Sequence, residues 1–384
     1  MQYHVPFFRA IHARGVDIEV GYFHQGTAGR VGHDAEFGID FEWDIDLLDG
    51  YPHRIFISGA VKPQWLKRFK AGLQLLTWAL QERSTPLLLM GWFSILIWLI
   101  WVIRIFMRAP TLMMSETTQM SFAAKDKPRW RKYLLRWLLQ HTTANLYIGR
   151  SNRNFLRGMG VFKNRLFHVP YSIDNARFTA EASRLSADRP RLCHEYGLDA
   201  ELPTYLFCGK LISKKRPLQL LEAYLSAGLA DRAQLLYVGE GELRPELERR
   251  IRVHGLKHVH LLGFLNQTEM PLAYVLGELL CLISGPTETW GLVVNEALAC
   301  GRPVMISDTV GCGPDLVGIE NGWVTQADDP NQLASLLLQT FEQHTNWSKM
   351  AEAGRKKVAK NTFSGMSCGA ISALQFIQEA EPGQ

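Results

Sequence analysis

Two carboxylates eight positions apart, Glu288 and Glu296, stand in the stretch SGPTETWGLVVNEALACGRPVMISD. The pattern reads as a strand ending near Ser284, then a polar loop through Thr289. A short helix follows, opening near Trp290 or Gly291 and stopping at Gly301, a good C-terminal cap position. The N–H groups that open such a helix, here those of Gly291 and Leu292, have no partner inside it and favour an anion beyond it. Glu288 and Thr289 border that anion site, and Glu296 sits a turn or more inside the helix. Taken alone, a carboxylate at a helix start is more often a stabilising charge than a reacting group.

A second anion signal is CGKLISKKRP, where Lys210, Lys214, Lys215 and Arg216 crowd a loop directly after a strand. Several cations at a strand end can hold a diphosphate, which needs charge but no covalent chemistry. A solvated charge run is the competing reading, and the spacing leaves both open. Gly209 in this loop and Gly239 in VGEG allow close backbone approach to a ligand.

Together these segments resemble the C-terminal, nucleotide-sugar-binding domain of retaining glycosyltransferases with the GT-B fold, the "group 1" family (family four) with an E-x7-E motif. The likeness lies in the Glu288–Glu296 spacing, in GPTETWGLVVNEALACGRPV and VGCGPDLV, and in GKLISKKRP, which is similar to the family's phosphate-binding loop. It is strong over residues 200–340 and looser in the first half, through FEWDIDLLDGY and VPYSID. Lys210 stands where Arg is commoner, which keeps the charge but loses the bidentate fork.

The resemblance implies roles. Glu296 would bind the ribose of a UDP- or GDP-linked sugar, and Glu288 would contact the transferred sugar. Lys210 and Lys215 would neutralise the leaving diphosphate. Gly291 and Leu292 would present backbone N–H groups, with Gly209, Gly239 and Thr289 completing the donor site. Neither metal nor cofactor is expected, and configuration is retained with the diphosphate assisting the incoming hydroxyl. Relatives offer a His after a mid-sheet strand of the first domain. Here that region reads APTLMMSETTQ, which leaves Glu116 as the polar candidate. Tyr3 and His4 would belong to an acceptor-side loop. Relatives also open with an apolar strand, so the first domain is expected to lack its first strand and the natural start to lie upstream.

The elements that must position these residues alternate between strand and helix throughout. VPFFRAIHAR reads as a helix, and VDIEVGYF, HRIFIS, PLLLM, APTLMMS, ANLYIG and RLFHVPYSID read as strands. The second half repeats strand, loop and helix from TYLFC onward, the signature of a parallel doubly wound sheet. The expectation is an α/β protein of two Rossmann-like domains facing across a cleft. Residues 1–174 form the acceptor-side domain, 175–203 a linker, 204–362 the donor domain and 363–384 a C-terminal helix crossing back.

At 384 residues, 47% hydrophobic and 21% charged, the chain is globular in composition. Its six cysteines form no C-x-x-C pair and read as reduced thiols of a cytoplasmic protein. No secretory signal is read at the start. Charge is uneven: from Arg104 to Arg165 thirteen Lys or Arg face two acids, a local +11, leaving −6 elsewhere of a total of +5. Charge alone fits nucleic acid or membrane. LLLMGWFSILIWLIWVI, residues 87–103, is uncharged but at the short limit for a span, and reads as a buried strand, a turn and a greasy core helix, or as a membrane-interface helix. In KPRWRKYLLRWLLQHTT, Trp130, Tyr133, Leu134, Trp137 and Leu138 form an apolar stripe opposite Arg129, Arg131, Lys132 and Arg136. That helix fits a membrane interface or a sheet-covering position equally well.

The expected function is a glycosyltransferase at the inner face of the cytoplasmic membrane. It would act on a lipid-linked or polysaccharide acceptor, touch anionic lipid peripherally and have no nucleic-acid partner. Alternatives are a sugar-nucleotide epimerase or phosphorylase of the same fold and a degenerate, donor-binding subunit without transfer activity.

Overall fold

A computed structural model describes residues 3–380 apart from 27, 30, 35, 60–64, 126 and 127. The chain divides into two units. One runs to Gly32, takes 41–171 and resumes at Asn361; the other comprises 33–40 and 172–360.

The first part of the chain forms helix α1 (Val5–His12) and the short strands β1 (Val20–Tyr22), β2 (Gly32–Asp34), β3 (Ile39–Phe41) and β4 (His53–Ile55). Helix α2 (Trp65–Leu80), strand β5 (Leu87–Met90) and helix α3 (Ile95–Phe106) follow. Then come β6 (Thr111–Ser115), α4 (Gln119–Ala123), α5 (Arg129–His141), β7 (Ala144–Tyr147), α6 (Arg150–Gly158) and β8 (Leu166–His168). Strands β5-β6-β7-β8 lie side by side in chain order, all parallel. All five residues of β6 are buried, as expected of a parallel strand covered on both faces. Strands β1 and β4 make a separate parallel pair, so the sequence-predicted strands VDIEVGYF and HRIFIS shrink to three residues each. Among the described residues the two strands pair over three positions, Val20 with His53 to Tyr22 with Ile55. The core beneath the helices gathers Trp101, Met113, Leu138, Leu139 and Phe155.

The second unit opens with helices α7 (Asn175–Ser186) and α8 (Arg189–Glu195), where the sequence reading placed a linker over 175–203. Asp174 caps α7 by accepting from the Arg177 amide, and Phe178 and Ala182 bury its inner face. Alternation then takes over: β9 (Thr204–Cys208), α9 (Pro217–Ser226), β10 (Gln234–Val238), α10 (Arg244–Val253), β11 (Val259–Gly263) and α11 (Met270–Leu276). The second run is β12 (Leu279–Leu282), α12 (Leu292–Ala299), β13 (Val304–Ser307), α13 (Gly313–Leu316), β14 (Gly322–Thr325), α14 (Pro330–Glu342) and α15 (Trp347–Val358). The six strands form one parallel sheet in the order β11-β10-β9-β12-β13-β14. Strand order therefore reverses between β9 and β12, the place where open parallel sheets bind ligands. The last helix, α16 (Phe363–Ala380), belongs with the first unit and packs on α1 and β8.

Helix α3 buries Ile100 and Trp101 in the core, as a core helix would, and also leaves an apolar edge exposed. Its single charge, Arg104, is 2% exposed, while Ile95 and Phe106 are 83% and 75% exposed. The guanidinium is satisfied by the carbonyls of Ala79, Thr85 and Pro110 and by Thr111 Oγ1, which holds this helix with its apolar stripe outward. In α5 the buried side is Leu135, Leu138 and Leu139, and Trp130 and Tyr133 of the predicted apolar stripe are exposed. Among the described residues no helix is long and apolar enough to cross a membrane. All six cysteines are free, five of them buried and Cys368 exposed, in keeping with reduced thiols.

Candidate functional site

In the second unit the loops that leave β9 and β12 lie at the reversal point of the sheet. The first carries Lys210 to Arg216 and the second Gly285 to Gly291. Lys215 Nζ donates to Glu288 Oε2, joining the two loops by a largely shielded ion pair. The Gly285 amide donates to the Lys214 carbonyl at 2.9 Å and ties the loops again through the backbone. On the other side the Gly311 and Cys312 amides donate to the Glu288 and Trp290 carbonyls at 3.1 and 3.0 Å. Thr289 thus sits in a loop braced from both flanks.

Gly291 is the N-cap of α12 with φ +97°, a conformation that disfavours any side chain, and Leu292 is the first helical residue. Trp290, buried beside it, donates from Nε1 to Asn295 Oδ1 at 2.9 Å and locks the loop onto the helix. Gly209 and Gly239, read as allowing close backbone approach, meet each other at the strand ends. Their amides are spent on the carbonyls of Val238 and Gly263, at 2.9 and 2.7 Å. A Cβ on Gly239 would lie 2.0 Å from the Gly209 carbonyl oxygen, so the glycine supplies room for two strand ends to meet.

Glu296 lies on α12 and is 1% exposed. Tyr274 on α11, 22 positions away, donates its hydroxyl to Glu296 Oε2 at 2.6 Å. Burial, with Glu296 nearby, pushes the Tyr274 hydroxyl well above its ordinary value, so the phenol stays a donor. Sequence reading missed this partner, since Tyr274 in MPLAYVLGELL looks like ordinary core.

Lys210 meets two carboxylates that the sequence did not connect with it. Its Nζ lies 3.0 Å from Asp34 Oδ1 and 2.8 Å from Glu36 Oε2, on the β2–β3 hairpin. Lys214 reaches Glu36 at 3.8 Å, and the Phe37 ring lies 4.6 Å from the Lys210 ammonium. Phe37 stands edge-on to Phe264, which seats the hairpin on this unit. Burial raises the Asp34 carboxyl, but the Phe37 amide and Lys210 outweigh it and hold it below its usual range. Lys210 likewise depresses Glu36.

The first unit has its own polar cluster at the end of β6. Tyr171 donates its hydroxyl to Glu116 Oε1 at 2.5 Å, and His4 Nε2 lies 3.0 Å from the same hydroxyl. His4 and Tyr171 stack with centroids 5.8 Å apart. Burial pushes the His4 ring down to about 4, so it is neutral at physiological pH. Burial and Glu116 together push Tyr171 up, with Tyr3 contributing. The predicted Glu116, His4 and Tyr3 are therefore gathered around Tyr171, a residue that sequence reading left inside a strand. Glu116 and Tyr171 are 55 positions apart, and His4 is 167 from Tyr171, so no local signal links them. Among the described residues, no group of three or more His, Cys, Asp or Glu side chains is placed to hold a metal ion.

Residues 202–343 match the family "Glycosyl transferases group 1". Among characterised relatives, the alpha-D-kanosaminyltransferase of Streptomyces kanamyceticus is 34% identical over 33% of this chain and 32% of its own. A GDP-mannose-dependent alpha-(1-6)-phosphatidylinositol dimannoside mannosyltransferase of Mycobacterium tuberculosis is 36% identical over 27% of this chain and 26% of its own. The chain thus spans about a third or less of the length of these relatives. Solved structures resemble it over more of its length. The sucrose-phosphate synthase of Thermosynechococcus elongatus superposes with a TM-score of 0.73 over 98% of this chain and 92% of that one, at 16% identity. Anabaena HepE in complex with UDP gives a TM-score of 0.65 over 86% of each chain, at 17% identity. These likenesses establish the GT-B fold, with its two Rossmann-like domains.

Proposed function

We propose, on the premise that residues 202–343 form a glycosyl transferases group 1 domain, that this chain is a retaining glycosyltransferase. It moves a sugar from a UDP- or GDP-linked donor to a lipid-linked or polysaccharide acceptor at a membrane surface. The carrying observation is the Lys215–Glu288 pair at the reversal point of the second sheet, with Glu296 buried in the adjoining helix. A relative that acts on a phosphatidylinositol dimannoside supports the lipid-linked acceptor, and HepE with bound UDP supports the donor class.

On this reading Glu296, oriented by Tyr274, accepts hydrogen bonds from the ribose hydroxyls. Glu288 contacts the transferred sugar. Lys210 and Lys215 take up the charge that grows on the diphosphate as the sugar–oxygen bond breaks. Such charge stabilisation is strongest in the transition state, so it raises turnover as well as affinity. The leaving diphosphate accepts the proton of the incoming hydroxyl, which attacks from the same face and retains configuration. Fixed cations replace a metal, and no cofactor is needed beyond the donor. In the first unit Glu116 and His4, joined by Tyr171, belong to the acceptor side.

A panel of uridine and guanosine diphosphate sugars with membrane extract as acceptor tests this reading. Transfer from one donor is expected, and Lys215→Ala should cut turnover about tenfold to a hundredfold, the worth of a charged hydrogen bond. Unchanged kinetics in Lys215→Ala would remove the loop from the site. Donor binding without transfer to any extract, insensitive to Glu288→Gln, would favour a donor-binding subunit instead.

A further inference from the structure

Helix α3 turns its one charge inward beside buried Ile100 and Trp101, and leaves an apolar edge in the open. Ile95, Leu99 and Phe106 recur at spacings of four and seven and share the outward side, while Arg104 is turned in. Phe93, just before the helix, is 86% exposed. A surface helix of a soluble domain ordinarily shows the reverse order.

Its neighbours extend the surface. Helix α2 packs against α3, with Gly72 beside Leu96, and exposes Trp65, Phe69 and Leu73 at successive turns. Lys67, Arg68 and Lys70 are interleaved with them. On the other flank Phe106 meets Trp137 of α5 with ring centroids 5.9 Å apart, and α5 exposes Trp130 and Tyr133 among Arg129, Arg131 and Lys132. None of the three helices contains an Asp or Glu.

We propose that the outer face of α2, α3 and α5 is a docking surface for an anionic lipid bilayer. The α3 stripe enters the boundary between headgroups and acyl chains, and the flanking cations engage the headgroup phosphates. Tryptophan and tyrosine beside the cations suit that boundary, where a ring meets both apolar and wet surroundings. With 12 residues, α3 would span about 18 Å, well short of a bilayer core of about 30 Å, so it lies in the surface. Charge separates lipid from a second copy of the chain. A two-fold contact through this face would bring Lys67, Arg68 and Lys70, or the α5 cations, against surroundings of their own sign. Nucleic acid would leave the aliphatic stripe of Ile95 and Leu99 without a partner.

This inference rests on the membrane-surface part of the proposed function and names the surface that would serve it. Flotation of the full chain with phosphatidylcholine vesicles, with and without phosphatidylglycerol, is the test. Wild type should float with the anionic vesicles and lose the preference as salt rises. Leu99→Glu with Phe106→Glu should weaken partitioning about tenfold or more, since both side chains leave the apolar phase. Lys67→Glu with Arg68→Glu should abolish the phosphatidylglycerol preference. Neither pair lies in the core, and equal thermal midpoints together with unaltered UDP or GDP binding would show the fold intact. Should the α3 variant unfold, the α2 charge pair decides alone. Absence of flotation at low salt, or variants that float like wild type, would overturn the proposal. So would a wild-type dimer that Leu99→Glu, Phe106→Glu dissociates without vesicle binding. Flotation without nucleotide binding would instead keep the surface and sink the donor reading.

Discussion

Helices α3 and α12 are both short and apolar, each contains one ionisable residue, and each buries it. In α12 the buried group is Glu296, with the Tyr274 hydroxyl as a partner on the neighbouring helix. In α3 it is Arg104, whose donors fan out to four acceptors, three of them backbone carbonyls. The difference is one of purpose. Arg104 ties the end of α2 and the turn before β5 to the start of β6, and supplies the donor for the Ala79 and Thr85 carbonyls. Glu296 sits one helix start away from the Lys215–Glu288 pair, at the point where the sheet changes direction. On the proposed function, a buried charge marks a site only when its surroundings include a place for a ligand.

The largest expected effect tests the structural half of that contrast. Arg104→Met should lower unfolding free energy by about 2–5 kcal/mol, because it strands the Ala79 and Thr85 carbonyls, while Pro110 keeps the Leu87 amide. Chemical denaturation measures this, and a loss below about 1 kcal/mol would mean water replaces the guanidinium. Glu296→Ala should instead leave stability less affected and weaken binding of the donor nucleotide by about tenfold or more, read by calorimetry. Tyr274→Phe should produce part of the same loss. If Glu296→Ala costs stability alone, the two helices are equivalent and the contrast fails.

A smaller effect concerns the Lys210 contacts. Asp34→Asn with Glu36→Gln should tighten diphosphate binding by a few-fold, since the ammonium no longer leaves two carboxylates to meet phosphate. The depressed Asp34 and Glu36 carboxyls favour the charged hairpin contact above the ordinary carboxylate range, and that contribution is lost as pH falls through their folded values. Weaker binding in the double variant would make the hairpin part of the donor site rather than its competitor.

The smallest effect at neutral pH belongs to His4. Its folded value of about 4 lies below the ordinary 6.5, so the unfolded chain takes up a proton first. Stability should be flat above about 6.5 and fall as pH drops toward about 4, where both states are charged. His4→Gln should flatten that decline in thermal melts across the window. An unchanged pH profile would show that the ring is not held neutral beside Tyr171.

The sequence was most legible where the chemistry is local. Glu288, Gly291 and Glu296 lie on one loop and one helix, so the local pattern placed them at a helix start, and α12 opens at Leu292, one or two positions after the expected Trp290 or Gly291. The lysines of the β9 loop were legible for the same reason. Their partners were not: Asp34 lies 176 positions from Lys210, and Tyr274 looked like any core residue. The linker reading at 175–203 failed because polar, Arg-rich composition describes an exposed helix face as well as a loop.

Alternation of strand and helix and the charged loops at strand ends followed from the sequence itself, because each depends on neighbours a few positions apart; the strand order that makes them neighbours did not. The tertiary structure alone decided which face of α3 looks outward. Twelve residues with eleven apolar ones have no amphipathic stripe to orient them. One inward guanidinium, satisfied by the carbonyls of Ala79, Thr85 and Pro110, fixes that orientation together with buried Ile100 and Trp101.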